Sequence, residues 1–246
     1  MDLTAIRGVL FDKDGTLLDY HATWMPANRA VAAHLSGGDA ALERALLVRG
    51  GWLPEVDRVA SGSPLAAGDL ADIVAVWGDL LPPEMTADPD ALAARIDALF
   101  IAHCAPTPVC DLAALFDALK ARGLALGVAT ADSEAGARAS LGPFAALERL
   151  DFLAGYDSGH GSKPGPGQAV AFCAATGLAP SEILVVGDNA HDVAMARAAG
   201  AGAAVGVLTG ASDRAALEAL ADAVFEDVRF LLDRAWTIEP IRKTTP

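Results

Sequence analysis

An apolar run, Gly8-Val9-Leu10-Phe11, ends in two aspartates one residue apart, in the stretch Asp12-Lys13-Asp14-Gly15-Thr16. A short apolar run without polar alternation fits a strand buried on both faces, the kind found in parallel sheets. Open α/β sheets gather their ligands at the carboxyl ends of their strands, which is where Asp12 would lie. Two carboxylates this close repel unless a cation sits between them or one is protonated. The same residues also fit an Asp-Gly turn with both side chains solvated. A site at this place needs a cation, a group that binds an anion, and a cover.

Residues 27–35, 40–48, 66–81 and 89–103 carry apolar side chains at helical spacing. Gly37-Gly38, Gly50-Gly51, Ser61-Gly62-Ser63-Pro64 and Pro82-Pro83 part them. The block is expected to hold no strand and to form a small helical bundle, closed by the stiff segment Ala105-Pro106-Thr107-Pro108. Beyond it, helix and strand alternate. Strands are expected at 5–11, 124–129, 152–154, 182–186, 203–207 and 223–225. Helices are expected at 111–122, 133–141, 167–176, 192–199, 215–220 and 227–236, and the tail 237–246 is expected to fray. The series predicts an α/β core with a mostly parallel sheet, interrupted after its first strand by a small all-helical cap domain. The core takes residues 1–18 and 107–246, and the cap takes 19–106.

The formal net charge of −14 argues against nucleic-acid and anionic-lipid partners. It does not exclude a small anionic substrate, because a metal ion and one lysine can reverse the potential locally. The longest stretch free of charged side chains, 164–181, holds three prolines and several glycines, so no membrane span is expected. Three cysteines (Cys104, Cys110 and Cys173) form no dense framework, and no apolar signal core precedes Arg7. A cytoplasmic location is expected. Nothing in the sequence sets an oligomeric state.

A second acidic segment, Gly187-Asp188-Asn189-Ala190-His191-Asp192, follows the apolar run Ile183-Leu184-Val185-Val186. If the two strands are parallel, Asp188 and Asp192 join Asp12 and Asp14 at one sheet edge, four carboxylates that require a metal. Taken alone, the segment also reads as a helix N-cap with an acidic first turn. Mg²⁺ suits the purpose, with oxygen ligands from one or two carboxylates plus water and phosphate oxygens. Gly15 permits a sharp turn that can aim backbone N–H groups, with Thr16, at an anion. Thr130 ends another strand, and its hydroxyl and the following N–H of Ala131 can meet an anion. Lys163, in Gly161-Ser162-Lys163-Pro164-Gly165-Pro166, can neutralise the carboxylates and bind a phosphate oxygen, or it can be a solvated lysine.

These four segments, in this order, resemble the haloacid dehalogenase superfamily of phosphohydrolases: Asp12-Lys13-Asp14-Gly15-Thr16, Thr130, Lys163-Pro164, and Gly187 through Asp192. The gap between Asp12 and Thr130 holds a helical cap of the kind carried by phosphoglycolate-phosphatase-like members. The gap between Thr130 and Lys163 is too short for the other type of cap. The resemblance implies a Rossmann-like core and a Mg²⁺-dependent phosphomonoester hydrolase acting on a small phosphorylated metabolite, 2-phosphoglycolate by default. It implies Asp12 as nucleophile, Asp14 as acid and base, and Thr130 and Lys163 on the transferring phosphoryl group. It implies a metal held by Asp12, the carbonyl of Asp14 and Asp188, with Asp192 as ligand or support. Relatives often carry Asn after the threonine; here Ala131 and Asp132 follow it.

Alternatives within the superfamily are a sugar-phosphate phosphatase or a phosphomutase. Outside catalysis stands a relative that merely binds a phosphorylated ligand. A dehalogenase needs no metal and no acid at position 14, and the absence of lysine from 17 to 106 disfavours Schiff-base chemistry in the cap. Substrate choice is expected in the cap, with Arg49, Arg58 and Ser63 as candidates, although each also suits an ordinary surface role.

Overall fold

A computed structural model of the chain describes residues 3–68 and 70–233. The tail expected at 237–246, and the end of the helix expected at 227–236, lie outside these residues. Two compact units form, Met1–Asp19 with Pro108–Pro246, and Tyr20–Thr107.

The first strand is β1 (Gly8–Phe11). The inserted unit follows, with α1 (Tyr20–Ser36), α2 (Ala40–Gly50), β2 (Trp52–Leu53), β3 (Arg58–Val59), α3 (Pro64–Ala67), α4 (Leu70–Gly78), α5 (Pro83–Thr86) and α6 (Pro89–His103). The chain then returns to the first unit with α7 (Leu112–Lys120), β4 (Ala125–Ala129), α8 (Glu134–Leu141), β5 (Phe152–Ala154), α9 (Gly167–Thr176) and β6 (Ile183–Gly187). It ends with α10 (Ala190–Ala199), β7 (Ala203–Val207), α11 (Arg214–Glu218), β8 (Ala223–Phe225) and a 3-10 turn, Val228–Leu232.

The core sheet has the order β5-β4-β1-β6-β7-β8, and all five pairings are parallel. Its central strands are buried at almost every position, as the unbroken apolar runs require. Alternate side chains enter opposite layers. Val9 and Phe11 pack with Leu112, Leu115, Phe116 and Leu119 of α7, whereas Leu10 packs with Phe172 of α9 and Met195 of α10. Gly127 makes room for the α9 layer, since a Cβ there would lie 2.7 Å from the Phe172 ring.

The inserted unit corrects the expectation of an all-helical cap. β2 and β3 pair antiparallel, with Trp52 opposite Val59 and Leu53 opposite Arg58. Two residues per strand are too few to show a period of two, so the pattern was invisible among helices. The hairpin is held locally. Trp52 Nε1 donates to Asp57 Oδ1 at 2.8 Å, Asp57 adopts φ 52°, and the Arg29 and Arg44 guanidinium groups lie 5.3 and 5.6 Å from the Trp52 ring centre. The helix expected at 66–81 is also interrupted, at Gly68, into α3 and α4. The unit has its own core around Trp77, which stacks on Phe100 and donates from Nε1 to Leu46 O at 2.8 Å.

Candidate active site

Three neighbouring strands deliver the chemistry. Phe11 is in register with Val128 of β4 and Val186 of β6, so the residues that leave these strands emerge side by side. They are Asp12 after β1, Thr130 after β4 and Asp188 after β6. Asp192 lies in the first turn of α10. Asn189 caps that helix, its side chain accepting from His191 N–H at 3.1 Å, and Asp192 Oδ2 returns the favour by accepting from Asn189 N–H at 3.1 Å. The capping uses only one Asp192 oxygen, and the second is turned elsewhere.

That oxygen faces Lys163. The Lys163 ammonium donates to Asp12 Oδ1 at 2.5 Å and to Asp192 Oδ1 at 2.6 Å, and all three side chains are nearly buried. Asp12, Asp188 and Asp192 each offer a carboxylate oxygen within 4.8 Å of the others. Two of the three carboxylates contact one ammonium, and the balance of charge shows in the proton affinities of Asp12, Asp188 and Lys163. Burial raises the Asp12 carboxyl, Lys163 pulls it down and Asp192 pushes it up again, with the result near about 7. Asp188 is held well above the usual carboxylate range, first by burial, then by the charges of Asp12 and Asp192. Burial disfavours the Lys163 ammonium, but Asp12 and Asp192 outweigh it and hold its pKa above the ordinary value.

The fourth expected carboxylate is not in this group. Asp14 turns to Lys13, whose ammonium lies 2.5 Å from Asp14 Oδ2. A near lysine removes the need for Asp14 to share the cation of the other three. The turn also differs from expectation at Gly15. Its N–H donates to Leu18 O at 2.7 Å, so it does not point at an anion. Gly15 is required for another reason: φ is 87°, and a Cβ would lie 2.6 Å from Asp188 Cγ. Thr16 is fully buried, and its hydroxyl has no hydrogen-bond partner among the described residues. Thr130 is buried with Oγ1 accepting from Asp132 N–H at 3.1 Å, while Ala131 beside it is exposed.

Other groups at this edge had no clear signal in the sequence. Gln168, buried in α9, donates from Nε2 to Thr130 O and Gly155 O, each at 3.1 Å, and so fixes the loops after β4 and β5. The loop after β7 closes on the first and last motifs. Thr209 Oγ1 donates to Gly15 O at 2.7 Å, and Ala211 N–H donates to Asp188 Oδ2 at 3.2 Å. Gly210 leaves space for Asp188, since a Cβ there would lie 1.7 Å from Oδ2. A polar residue at the start of a mostly apolar helix was the available hint for Gln168.

The candidates for substrate choice lie in the inserted unit. Arg49 pairs with Asp79 at 3.1 Å on an exposed face, Arg58 Nε approaches His21 Nε2 at 3.2 Å, and Ser63 is the N-cap residue of α3. Among the described residues, no hydrogen bond or ion pair links any two of these three.

A parallel sheet of this order, with carboxylates and a lysine at the carboxyl edge of its central strands, defines a Rossmann-like α/β enzyme. The chain belongs to the haloacid dehalogenase-like hydrolase family, whose model matches residues 6–200. It is 38% identical over 120 residues to a phosphoglycolate phosphatase of Rhodospirillum rubrum, a match that covers 46% of this chain and 49% of that protein. The matched region thus spans about half the length of that relative. Identity is 29% over 199 residues to an N-acetylmuramic acid 6-phosphate phosphatase of Pseudomonas aeruginosa, with 79% of each chain covered. The crystal structure of a predicted phosphoglycolate phosphatase from Haemophilus somnus shares the fold, with a TM-score of 0.70 at 22% identity, covering 93% of this chain and 97% of the other. Among the described residues, no helix is long and apolar enough to cross a membrane.

Proposed function

We propose that the chain is a Mg²⁺-dependent phosphomonoester hydrolase that acts on a small phosphorylated metabolite through an aspartyl-phosphate. The observation that carries this reading is the buried group of Asp12, Asp188 and Asp192, with a single lysine paired to Asp12 and Asp192. Its donors are all carboxylate oxygens, hard ligands that fit Mg²⁺, and the excess of negative charge calls for a divalent cation. Asp12, Asp188 and the main-chain carbonyl of Asp14 would hold the ion, with Asp192 as a further ligand or as the support of Lys163. When bound, Mg²⁺ supplies charge neutralisation and Lewis acidity toward a phosphoryl oxygen.

In this reading Asp12 attacks the phosphorus and displaces the leaving oxygen, which takes a proton from Asp14. The Asp14 carboxylate then accepts a proton from water, the water oxygen attacks the phosphorus, and phosphate leaves Asp12 as a free carboxylate. Lys163 aims Asp12 and screens its charge from the incoming phosphate. The hydroxyls of Thr130 and Thr16 bind phosphoryl oxygens. The unpartnered Thr16 hydroxyl supports that role, because a buried donor without an acceptor is costly unless a ligand supplies one.

2-Phosphoglycolate is the leading substrate, and Arg49, Arg58 and Ser63 are the residues proposed to select it. A sugar phosphate is the second reading, favoured by the name and the broad coverage of the Pseudomonas relative. The free thiols of Cys104, Cys110 and Cys173 suit a reducing, cytoplasmic setting. The test is phosphate release from a panel of phosphorylated metabolites, with Mg²⁺ or with EDTA, beside an Asp12→Asn control. Mg²⁺-dependent release that the variant lacks supports the reading, and the preferred compound chooses between the two substrates. No release from any compound overturns it in favour of a binding role.

A further inference from the structure

Lys13 stands between the two aspartates of the first motif, and the mechanism above gives it no part. Its side chain is fully buried, a rare place for an ammonium. Nζ lies 2.5 Å from Asp14 Oδ2 and 3.1 Å from Asp132 Oδ2, and these carboxylates are themselves only 21% and 28% exposed. Asp132 is fixed at both ends: its N–H donates to Thr130 Oγ1 at 3.1 Å, and its Oδ1 accepts from Ser133 N–H at 2.7 Å. Gly136 of α8 lies so near that a Cβ there would come within 2.5 Å of Asp132 Oδ1. A continuous linkage therefore runs from the loop after β4, through Lys13, to Asp14 in the loop after β1.

We propose that Lys13, anchored by Asp132, is a positioning residue that fixes the Asp14 carboxyl and offsets the negative charge Asp14 acquires as it protonates the leaving oxygen. The proposal rests on the reading of Asp14 as the acid. The proton moves from the Asp14 carboxyl to the leaving oxygen while the P–O bond breaks, and Lys13 keeps its own protons throughout. Asp14 ends the step as a carboxylate, the form that pairs best with Lys13. Asp132 has the complementary task. It neutralises Lys13 while Asp14 is a neutral acid, and it draws the ammonium away from Asp12, where Lys163 already serves. The departure seen in the sequence, Ala131-Asp132 where relatives often carry Asn, is thus matched to the lysine inside the first motif.

A residue that merely fills space would affect all substrates alike, whereas a residue that acts through the acid must affect poor leaving groups most. The experiment measures kcat/KM with Mg²⁺ for p-nitrophenyl phosphate, a good leaving group, and phenyl phosphate, a poor one of similar shape. Lys13→Met is expected to lower the rate on phenyl phosphate about tenfold or more beyond any loss on p-nitrophenyl phosphate, with KM little changed. Lys13→Arg should restore most of the loss, and Asp132→Asn should shift the ratio in the same direction by a smaller factor. Asp14→Asn is the control for the underlying reading. If it leaves the ratio of the two substrates unchanged, Asp14 is not the acid and the underlying reading fails. If Asp14→Asn changes the ratio but Lys13→Met and Asp132→Asn do not, the acid reading stands and the role of Lys13 is overturned. Should Lys13→Met not fold, the ratios of Lys13→Arg and Asp132→Asn decide, with a wild-type ratio in Asp132→Asn counting against the proposal.

Discussion

Asp12→Asn exchanges a carboxyl for a carboxamide of the same shape, so its effect on stability reports the charge. In the folded protein without metal, the Asp12 carboxyl titrates near about 7 against an ordinary value of 3.8, chiefly because it is buried. Between those values the folded state keeps a proton that the unfolded chain has lost. Stability from this group is therefore complete below about pH 4 and falls as pH rises toward about 7. At about 1.4 kcal/mol for each pKa unit, the full loss is about 4 kcal/mol, of which about 2–3 kcal/mol falls between pH 5 and pH 8. The carboxamide does not titrate, so the variant escapes this loss. Urea denaturation followed by circular dichroism, in EDTA at the two pH values, measures it. The stability of the variant relative to wild type should move by about 2–3 kcal/mol in the variant's favour from pH 5 to pH 8. A difference that is the same at both pH values, or that moves the other way, would refute the assignment of a strained, buried charge at Asp12.

Three further outcomes follow from the same geometry. Lys163→Met leaves the buried carboxylates without their cation, and should cost about 3–5 kcal/mol at pH 8 in EDTA, less at pH 5, by the same denaturation experiment. Gly210→Ala places a methyl group where Asp188 Oδ2 lies, and should reduce both the rise in melting temperature on adding Mg²⁺ and kcat/KM, the latter by about tenfold or more. Arg49→Ala should change stability by no more than about 0.5 kcal/mol, because its pair with Asp79 is exposed on both sides.

The parts of this protein that obey short-range rules were readable in its sequence. β5, β7, β8, α6 and α9 have the bounds that apolar runs and Gly or Pro stops indicate, and Ser133 caps α8 as its position suggests. The strand ends that bring Asp12, Thr130 and Asp188 together follow from parallel register alone. What could not be read depends on contacts distant in sequence or on very short elements. The hairpin of Trp52 and Val59 offers too few residues for a period. The sequence alone groups Asp14 with the other acids, because its turn to Lys13 depends on how the loop closes through Gly15 and Leu18. Gln168, Thr209 and Ala211 act through single hydrogen bonds to loops far away in the chain, and no pattern of residue types announces those.

The central claim is that Asp12 is the nucleophile of a Mg²⁺-dependent phosphatase. Its most direct test is phosphate release from p-nitrophenyl phosphate by the wild-type protein and Asp12→Asn, both shown to be folded, at saturating Mg²⁺. The account predicts turnover by the wild type and a loss of about a thousandfold or more in the variant. Turnover by Asp12→Asn within about tenfold of wild type would contradict it.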